Sequence, residues 1–367
     1  MDRAYIKLLT DSIEVESRSI DKKVVFRWST LAEVAKLGQR RWDEVPVLSG
    51  SQVQILPSAP PPFRLMEVLF KNVFDNRGLA SCLANDNGYV TCSFGLWLMG
   101  GEWSRRKRSR AVVREVSSNF DRAISAYFGT HTPNPLAARD AHADYVTALR
   151  EHGVEVDVLP ELSEHPDCTF VEDAAIVVDG AVVIPHMGHP SREGEQEVLR
   201  EVLGEHLEVM EMPQGATMDG GDAIFFDDCY LLGLSNRTNA AGVDFFQEVA
   251  ASRGFDSIIF EVPESTLHLT TICSSPKPGM LVAAEGHMTP EQFAPLTDEG
   301  VEILWVPNAE SYAANVIGFE NERVKISADY PETKRVLEAA GFATRSIDMA
   351  HIRAADGSLT CCSIFYQ

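Results

Sequence analysis

Five polar residues stand at nearly equal spacing from Asp173 onward, each just before a pair of short apolar runs. Asp222 follows Asp173 after 49 residues, and His268, Asn315 and Cys361 follow at intervals of 46, 47 and 46 residues. Near-constant spacing indicates equivalent positions in successive repeat units. If the units close into a ring, these positions meet at its centre. The sequence then predicts carboxylates, an imidazole, an amide and a thiol around one pocket.

A thiol and an imidazole in one pocket can carry out nucleophilic catalysis, because the thiolate attacks an electrophilic carbon while the imidazole transfers protons. Neighbouring carboxylates would raise the pKa of the thiol unless a cationic substrate neutralised them. A guanidinium group meets this need, since its N–H groups pair with carboxylates and its central carbon is electrophilic. Two other interpretations stay open: a metal site formed by Cys361, His268 and Asp219, and a cationic amino-acid binding protein without catalysis.

The elements that must position these residues form a repeat. An apolar run, a polar turn, a second apolar run, a link with Pro, Ser or Thr, and a helix recur from Ala174, Ala223, Gly279 and Val316, and a less regular unit opens at Ala111. The paired apolar runs predict β-hairpins, and the segments after them have the apolar spacing of amphipathic helices. About five such units favour a closed α/β ring over an open solenoid.

Composition narrows the class of protein. Of the 367 residues 45% are hydrophobic and 23% are charged, which is typical of a globular protein, and the net charge of −22 argues against nucleic acid as a general partner. The longest apolar stretch, near 89–100, is shorter than the ~20 residues of a membrane span, so no membrane partner is expected. The seven cysteines lack a metal-type or paired spacing and favour a reducing, cytoplasmic location.

The sequence pattern of residues 1–107 differs from that of the catalytic domain expected over 108–367. They contain a Ser/Pro-rich loop, "VLSGSQVQILPSAPPPF", and end near a basic run at 105–110 that we interpret as a solvated linker. A small extra domain, a disordered extension and a misplaced start codon all fit. We favour the last, because "GSQVQILPSAP" resembles the product of reading a transfer-RNA gene region as protein.

Residues 111–367 resemble the dimethylarginine dimethylaminohydrolases of the pentein, or guanidino-group-modifying, superfamily. The matching motifs, in the family's order, are "PDCTFVEDAAIV", "PSRE", "MDGGD", "GLSNRTN", "LHL", "ESYAAN" and "DGSLTCCS". The resemblance implies a five-fold pseudosymmetric α/β propeller of ββαβ-type units, which agrees with the repeat. It does not extend into residues 1–107.

The resemblance also implies roles for individual residues. Cys361 is similar to the nucleophile, His268 to the general acid and base, and Asp219 to the acid that orients the histidine, although some relatives carry Glu there. The implied substrate-binding residues are Asp167, Glu172 and Asp173 for the guanidinium group, Arg192 and Arg237 for the α-carboxylate, and main-chain oxygens of Ile124 and Ala355 for the α-amine. Two departures concern the substrate: Glu193 replaces a common Arg, and Thr270 replaces a common Lys.

The implied reaction needs no cofactor and no metal. Cys361 attacks the guanidino carbon of a methylated arginine, His268 protonates the departing dimethylamine or methylamine, and water hydrolyses the covalent thiouronium to citrulline. An arginine deiminase or an amidinotransferase on the same scaffold is the nearest alternative. Arginine deiminases carry Arg-Asp at positions 172–173 and an acid at position 270, so both positions favour methylated arginine. The oligomeric state stays open, with a homodimer as one option.

The last motif contains two adjacent cysteines, and we expect them in an extended strand. Neighbouring side chains of a strand point to opposite faces, so Cys361 and Cys362 would serve different purposes. Cys362 shares its expected face with Ile364, which favours a packing role for Cys362 and a reactive role for Cys361.

Overall fold

The computed structural model describes four strands within residues 1–105, residue 106, and residues 108–129 and 131–366. By contacts the chain forms two units, Met1–Trp97 and Leu98–Gln367, each described by itself. Within the first unit, strands β1 (Ile13–Arg18), β2 (Asp21–Arg27), β3 (Ser81–Ala84) and β4 (Tyr89–Phe94) form an antiparallel sheet in the order β1-β2-β4-β3. The interpretation of residues 1–107 lies mostly outside the described residues and stays a prediction.

The described part of the second unit contains five sheets of three strands. The strands are β5 (Arg110–Arg114), β6 (Glu155–Leu159), β7 (Ile176–Val178), β8 (Ala181–Ile184), β9 (Glu208–Glu211), β10 (Ala223–Phe226), β11 (Cys229–Leu234), β12 (Asp256–Glu261), β13 (Cys273–Lys277), β14 (Met280–Ala284), β15 (Glu302–Val306), β16 (Ile317–Phe319), β17 (Arg323–Ser327), β18 (Ala343–Ile347) and β19 (Ile364–Phe365). The sheet orders are β19-β5-β6, β7-β8-β9, β10-β11-β12, β13-β14-β15 and β16-β17-β18.

Every sheet follows one plan. The first two strands are antiparallel, and the third is parallel to the second. A parallel neighbour requires a crossover connection, which the helices provide. Within residues 108–366, apart from residue 130, the α-helices are α1 (Pro135–Arg150), α2 (Gln196–Gly204), α3 (Ala240–Ser252), α4 (Leu269–Ile272), α5 (Ala294–Thr297), α6 (Pro331–Ala339) and α7 (Ala350–Arg353). The repeat read from the sequence is thus the structural unit.

Local sequence explains why these elements form. Asp179 and Gly180 join β7 to β8, and both have positive φ angles, 26° and 82°, a conformation that suits Gly and that Asp tolerates. Helix α1 starts at a proline whose fixed φ suits the first turn, and the Asn134 side chain accepts hydrogen bonds from the N–H groups of Leu136 and Ala137. Short-range signals therefore set the hairpins and the longest helix.

The chain closes the ring with its last strand. β19 pairs antiparallel with β5, with Ile364 opposite Val112 and Phe365 opposite Ala111. The end of the chain thereby completes the sheet that begins at Arg110 and joins the last unit to the first, as a closed ring requires. The predicted five-fold α/β propeller is confirmed.

A short helical turn precedes the first strand of each sheet. We call these five segments the axial turns: Val171–Ala174, Gly220–Asp222, Leu269–Ile272, Asn308–Ala314 and Thr360–Cys362. Hydrogen bonds join each to the next around a ring: Gly221 N to Asp173 Oδ1 (3.1 Å), Leu269 N to Asp222 Oδ1 (2.9 Å), Asn315 Nδ2 to Thr270 O (2.8 Å), Thr360 N to Asn315 Oδ1 (3.1 Å) and Thr360 Oγ1 to Glu172 Oε2 (2.8 Å). The five evenly spaced polar residues lie on or beside these turns, as the spacing predicts.

Apolar clusters fill the space between the sheets and the outer helices. One cluster joins α1 to β5 through buried Tyr145 and Leu149 with Ala111 and Val113. Each fully buried side chain of the larger apolar types contributes about 1.5–3 kcal/mol. This packing fixes the outer layer, so the axial turns are presented inward from a rigid frame.

Two expectations from the sequence are wrong. Cys361 and Cys362 lie in the turn Thr360–Cys362 and not in an extended strand, which begins only at Ile364. The alternation argument therefore does not apply to them. Arg106 is not part of a solvated linker, because it is buried, donates to Ser275 O at 2.8 Å and to Ser275 Oγ at 2.6 Å, and faces Asp227 Oδ1 at 3.7 Å.

Among the residues that the structure describes, no helix combines the length and the apolar character that a membrane crossing needs.

Candidate active site

A small cavity opens beside the axial turns. It brings together eight of the ten residues that the sequence singled out: Ile124, Asp167, Asp173, Arg192, Arg237, His268, Ala355 and Cys361. Asp219 and Glu172 do not line it. The remaining lining residues, which carried no predicted role, are Phe170, Leu267, Asp356 and Gly357. The cavity therefore has a thiol, an imidazole, carboxylates and two guanidinium groups on its walls.

Asp219 lies behind the imidazole of His268. It is fully buried, and its Oδ2 is 3.0 Å from His268 Nε2, a distance at which the ring N–H donates to the carboxylate. Its Oδ1 accepts from Gly188 N at 2.7 Å, and Arg237 Nη1 donates to Oδ2 at 3.3 Å. These contacts fix the carboxylate, so it can orient the ring without touching a substrate.

The imidazole lies between two carboxylates. His268 Nδ1 is 3.6 Å from Asp173 Oδ1, on the side away from the Asp219 contact. Burial alone would lower the pKa of His268, but the charge of Asp173 and the hydrogen bond to Asp219 outweigh burial and raise this pKa to about 9. The ring is consequently held in its protonated form at neutral pH, ready to act as an acid.

Cys361 is nearly buried, with 7% of its surface exposed, and faces the cavity. Burial, followed by the carboxylates of Glu172 and Asp173, raises the pKa of the Cys361 thiol well above its usual range. The thiol is therefore protonated in the unliganded site. A cation bound between the thiol and the carboxylates would reverse the electrostatic part of this shift.

The second cysteine has a different environment. Cys362 is fully buried, does not line the cavity, and its Sγ lies 3.4 Å from Ser358 O. Because the two cysteines lie in a helical turn, their thiols have different surroundings: that of Cys361 faces the cavity and that of Cys362 does not. The separation agrees with the sequence prediction, although the predicted reason was wrong.

Glu172 lies in the ring of hydrogen bonds, where its Oε2 accepts from Thr360 Oγ1. It lines a neighbouring cavity together with Thr270 and Thr360, and not the cavity of Cys361. Burial and the adjacent charge of Asp173 raise the pKa of Glu172 to about 8. The carboxyl group is consequently protonated near neutral pH and can donate a hydrogen bond as well as accept one.

Asp167 and Asp173 approach the cavity from two sides. Asp167 accepts from Ile124 N at 3.0 and 3.3 Å through its two oxygens, and burial raises its pKa to about 6. Asp173 accepts from Arg192 Nη1 at 2.5 Å and from Gly221 N at 3.1 Å. Both groups are positioned by other parts of the chain before any ligand binds.

Arg192 is held more firmly than its motif suggested. It is buried, and besides Asp173 it donates through Nη2 to Glu195 Oε2 at 2.7 Å and to Phe170 O at 2.9 Å. Sequence reasoning missed Glu195, although an acid three residues after an arginine is a recognisable pairing signal. Glu193, the departure noted within the motif, lies outside the cavity lining and accepts from Met187 N at 3.2 Å.

A metal site has a partial geometric basis. Ligand atoms of Asp173, Asp219 and His268 lie within 4.8 Å of one another. This set differs from the predicted alternative, because it contains Asp173 in place of Cys361. Arg192 already pairs with Asp173, and Arg237 pairs with Asp219, so each carboxylate has a cationic partner in the chain itself. The arrangement is that of an ion-paired imidazole and not of an open coordination shell.

Comparison with known proteins gives consistent matches. The family described as "N,N dimethylarginine dimethylhydrolase, eukaryotic" matches residues 128–365. The N(G),N(G)-dimethylarginine dimethylaminohydrolase of Pseudomonas aeruginosa is 30% identical over 251 residues, which cover 67% of this chain and 94% of that protein. The protein of the same name from Streptomyces coelicolor is 28% identical over 258 residues, covering 70% and 96%.

A solved structure agrees with these matches. The Pseudomonas aeruginosa dimethylarginine dimethylaminohydrolase, as a cysteine-to-serine mutant complexed with citrulline, has a TM-score of 0.65 and 27% identity to this chain, covering 70% of this chain and 99% of that one. The family match includes every predicted site residue except Ile124, which precedes residue 128. The expected family and the expectation of a hydrolase are confirmed: this chain belongs to the dimethylarginine dimethylaminohydrolase family.

Proposed function

We propose that this enzyme hydrolyses Nω-methylated arginines to citrulline and dimethylamine or methylamine. The observation that carries the proposal is one cavity whose lining combines a thiol and an imidazole with carboxylates and guanidinium groups: Cys361, His268, Asp167, Asp173, Arg192 and Arg237. A methylated arginine has the complementary groups, since it carries a guanidinium at one end and an α-carboxylate at the other. The names of the Pseudomonas aeruginosa and Streptomyces coelicolor relatives support the same substrate class.

The first half of the reaction forms a covalent bond to Cys361. The substrate guanidinium binds near Asp167 and Asp173, and its positive charge lowers the pKa of the thiol that the carboxylates had raised, so the thiol releases its proton to solvent. The thiolate attacks the guanidino carbon. His268, protonated at neutral pH, gives its proton to the methylated nitrogen, which leaves as the neutral amine. The product of this half is a thiouronium on Cys361.

The second half releases the product. His268, now neutral, takes a proton from a water molecule, and the resulting hydroxide attacks the thiouronium carbon. The C–S bond breaks, citrulline leaves, and Cys361 recovers its proton. Asp219 stays ionised behind the ring and stabilises the protonated imidazole at both stages. Every step uses side chains of this chain, and the atoms balance with one water consumed for each amine released.

One assay distinguishes this proposal from its alternatives. The enzyme is incubated with asymmetric dimethylarginine, monomethylarginine or arginine, and citrulline and the released amine are measured. We expect citrulline with dimethylamine or methylamine, and no requirement for an acceptor amine. Citrulline and ammonia from arginine alone would identify an arginine deiminase, and product only with an added acceptor would identify an amidinotransferase. A cytoplasmic location and a homodimer stay predictions.

A further inference from the structure

Residues 123–129, which we call the clamp loop, contribute Ile124 to the cavity and lie at the edge of the core, where the ring of Phe128 contacts that of Tyr312. None of these seven residues is buried, and none belongs to a helix or strand. The loop nevertheless carries Ile124, whose main-chain oxygen is the predicted partner of the substrate α-amine. Something other than apolar burial must hold this oxygen in place.

Two carboxylates provide that hold: Asp167 accepts from Ile124 N at 3.0 and 3.3 Å, and the residues that follow are bound by Asp356. Asp356 accepts hydrogen bonds from four successive backbone N–H groups: from Ala126, from Tyr127 at 3.0 Å, from Phe128 at 2.6 Å and from Gly129 at 2.9 Å. Successive N–H groups that converge on one anion form a strong, charge-assisted cradle. Asp356 is itself buried and lines the cavity, so its side chain is largely shielded from solvent.

The other side of Asp356 is equally constrained. Its φ angle is +59°, a left-handed conformation that Asp tolerates, and it directly follows Ala355, the second predicted partner of the α-amine. Tyr312 OH donates to Gly357 O at 2.5 Å and fixes the next residue. A Cβ added at Gly129 would lie 2.5 Å from Ala354 O, so the loop backbone approaches this segment more closely than any side chain allows.

We propose that Asp356 is a positioning residue for recognition of the substrate α-amine. By accepting four N–H groups of the clamp loop, it sets the distance between the main-chain oxygens of Ile124 and Ala355 on either side of the cavity. It acts through these two groups and not on the reacting carbon. This inference rests on the proposed function, because it assigns one end of the same substrate.

The test compares two compounds that differ only in the α-amine: asymmetric dimethylarginine and 5-(N,N-dimethylguanidino)pentanoate, which keeps the guanidinium and the carboxylate. In Asp356→Asn one acceptor oxygen becomes an amide donor that faces N–H groups. We expect KM for dimethylarginine to rise by about 10-fold or more, with a much smaller change in kcat, while KM for the pentanoate stays close to its wild-type value.

A matched control separates positioning from general damage. Asp348 also accepts a backbone N–H, that of Ala350 at 3.0 Å, but it is exposed and far from the cavity lining. We expect Asp348→Asn to leave both KM values unchanged. An equal rise of KM for both compounds in Asp356→Asn would overturn the proposal, because it would indicate a general structural role.

Hydrogen exchange provides a readout that does not depend on turnover. We expect the amides of residues 126–129 to exchange at least about 10-fold faster in Asp356→Asn than in wild type, with the amides of the strands unchanged. Unchanged exchange at residues 126–129 would overturn the proposed positioning role of Asp356, even if KM for dimethylarginine rose. If wild type turned over neither compound, the proposed function would fail. The exchange result alone would then support or overturn the claim that Asp356 holds the clamp loop.

Discussion

The axial turns and the clamp loop contribute to the same cavity but are built in different ways. The axial turns are joined in a closed ring of hydrogen bonds, and the middle strand of each sheet behind them is largely buried. The clamp loop has no buried residue, and its backbone is held by two carboxylates, Asp167 at Ile124 and Asp356 at residues 126–129. In the proposed mechanism the groups that form or break bonds, Cys361 and His268, lie on or beside the axial turns, and Ile124, one of the proposed partners of the α-amine, lies in the clamp loop.

This difference predicts different kinetic signatures. Changes at the axial turns should lower kcat with little effect on binding, because the frame survives while a reacting group is lost. Changes that loosen the clamp loop should raise KM with little effect on kcat. The comparison would be contradicted if changes at the axial turns altered mainly KM, or if changes at the clamp loop altered mainly kcat.

The largest expected effect is that of Cys361→Ser. We expect kcat for citrulline formation to fall by about 10⁴-fold or more, because the serine hydroxyl ionises too weakly to replace the thiolate. Binding of dimethylarginine, measured by calorimetry, should persist. The matched control is Cys362→Ser, which changes the adjacent thiol outside the cavity and should keep turnover within a few-fold of wild type. Full activity of the first variant would refute the assigned nucleophile.

A smaller effect is expected for Asp219→Asn. The amide cannot stabilise the imidazolium, so the pKa of His268 falls and less of the ring is protonated at neutral pH. We expect kcat to fall by about 10²-fold, with KM within a few-fold of wild type. A pH profile of kcat should also show its basic limb shifted to lower pH. A change confined to KM would place Asp219 in substrate binding and blur the distinction between the two regions.

The smallest effect concerns stability. The pKa of His268 is raised to about 9 in the folded protein, above the ~6.5 of an unfolded chain, so its protonation stabilises the fold. That contribution is complete below about pH 6.5 and is lost as pH rises through about 9. Urea unfolding should show a larger free energy of unfolding for wild type than for His268→Asn. We expect this difference to be greatest near pH 6 and smaller near pH 10. A pH-independent difference would contradict the protonated ring.

Much of the fold could be predicted from the sequence, because each unit carries its own hairpin and helix signals. The pair Asp179-Gly180 indicates a hairpin turn directly, and the spacing of the polar residues from Asp173 to Cys361 indicates the length of the repeat. The 3₁₀ turn at Thr360–Cys362 could not be predicted in this way. It depends on long-range hydrogen bonds from Thr360 to Asn315 and Glu172, which no local pattern reveals.

The sequence singled out the candidate reacting groups and Asp219 behind the imidazole, but it gave no role to other supporting residues. Cys361 and His268 have chemistry that draws attention in any sequence. Asp356 and Glu195 are ordinary acids until the fold places them, one against four amides of a loop and the other against Arg192. The contacts of Asp356 join segments that are far apart in the sequence, and the pairing of Glu195 with Arg192 follows only a weak local pattern. The structure was therefore needed to find both roles.

The central claim is that Cys361 forms a covalent bond to the guanidino carbon of a methylated arginine. It is tested most directly by mixing the enzyme with asymmetric dimethylarginine, quenching in acid within the first turnover, and mapping peptides by mass spectrometry. His268→Ala is included because loss of the acid and base slows hydrolysis of the adduct. We expect the mass of substrate minus dimethylamine on Cys361, with Cys362 unmodified. Citrulline formation with no adduct on Cys361 in either protein, or an adduct on Cys362, would contradict the account.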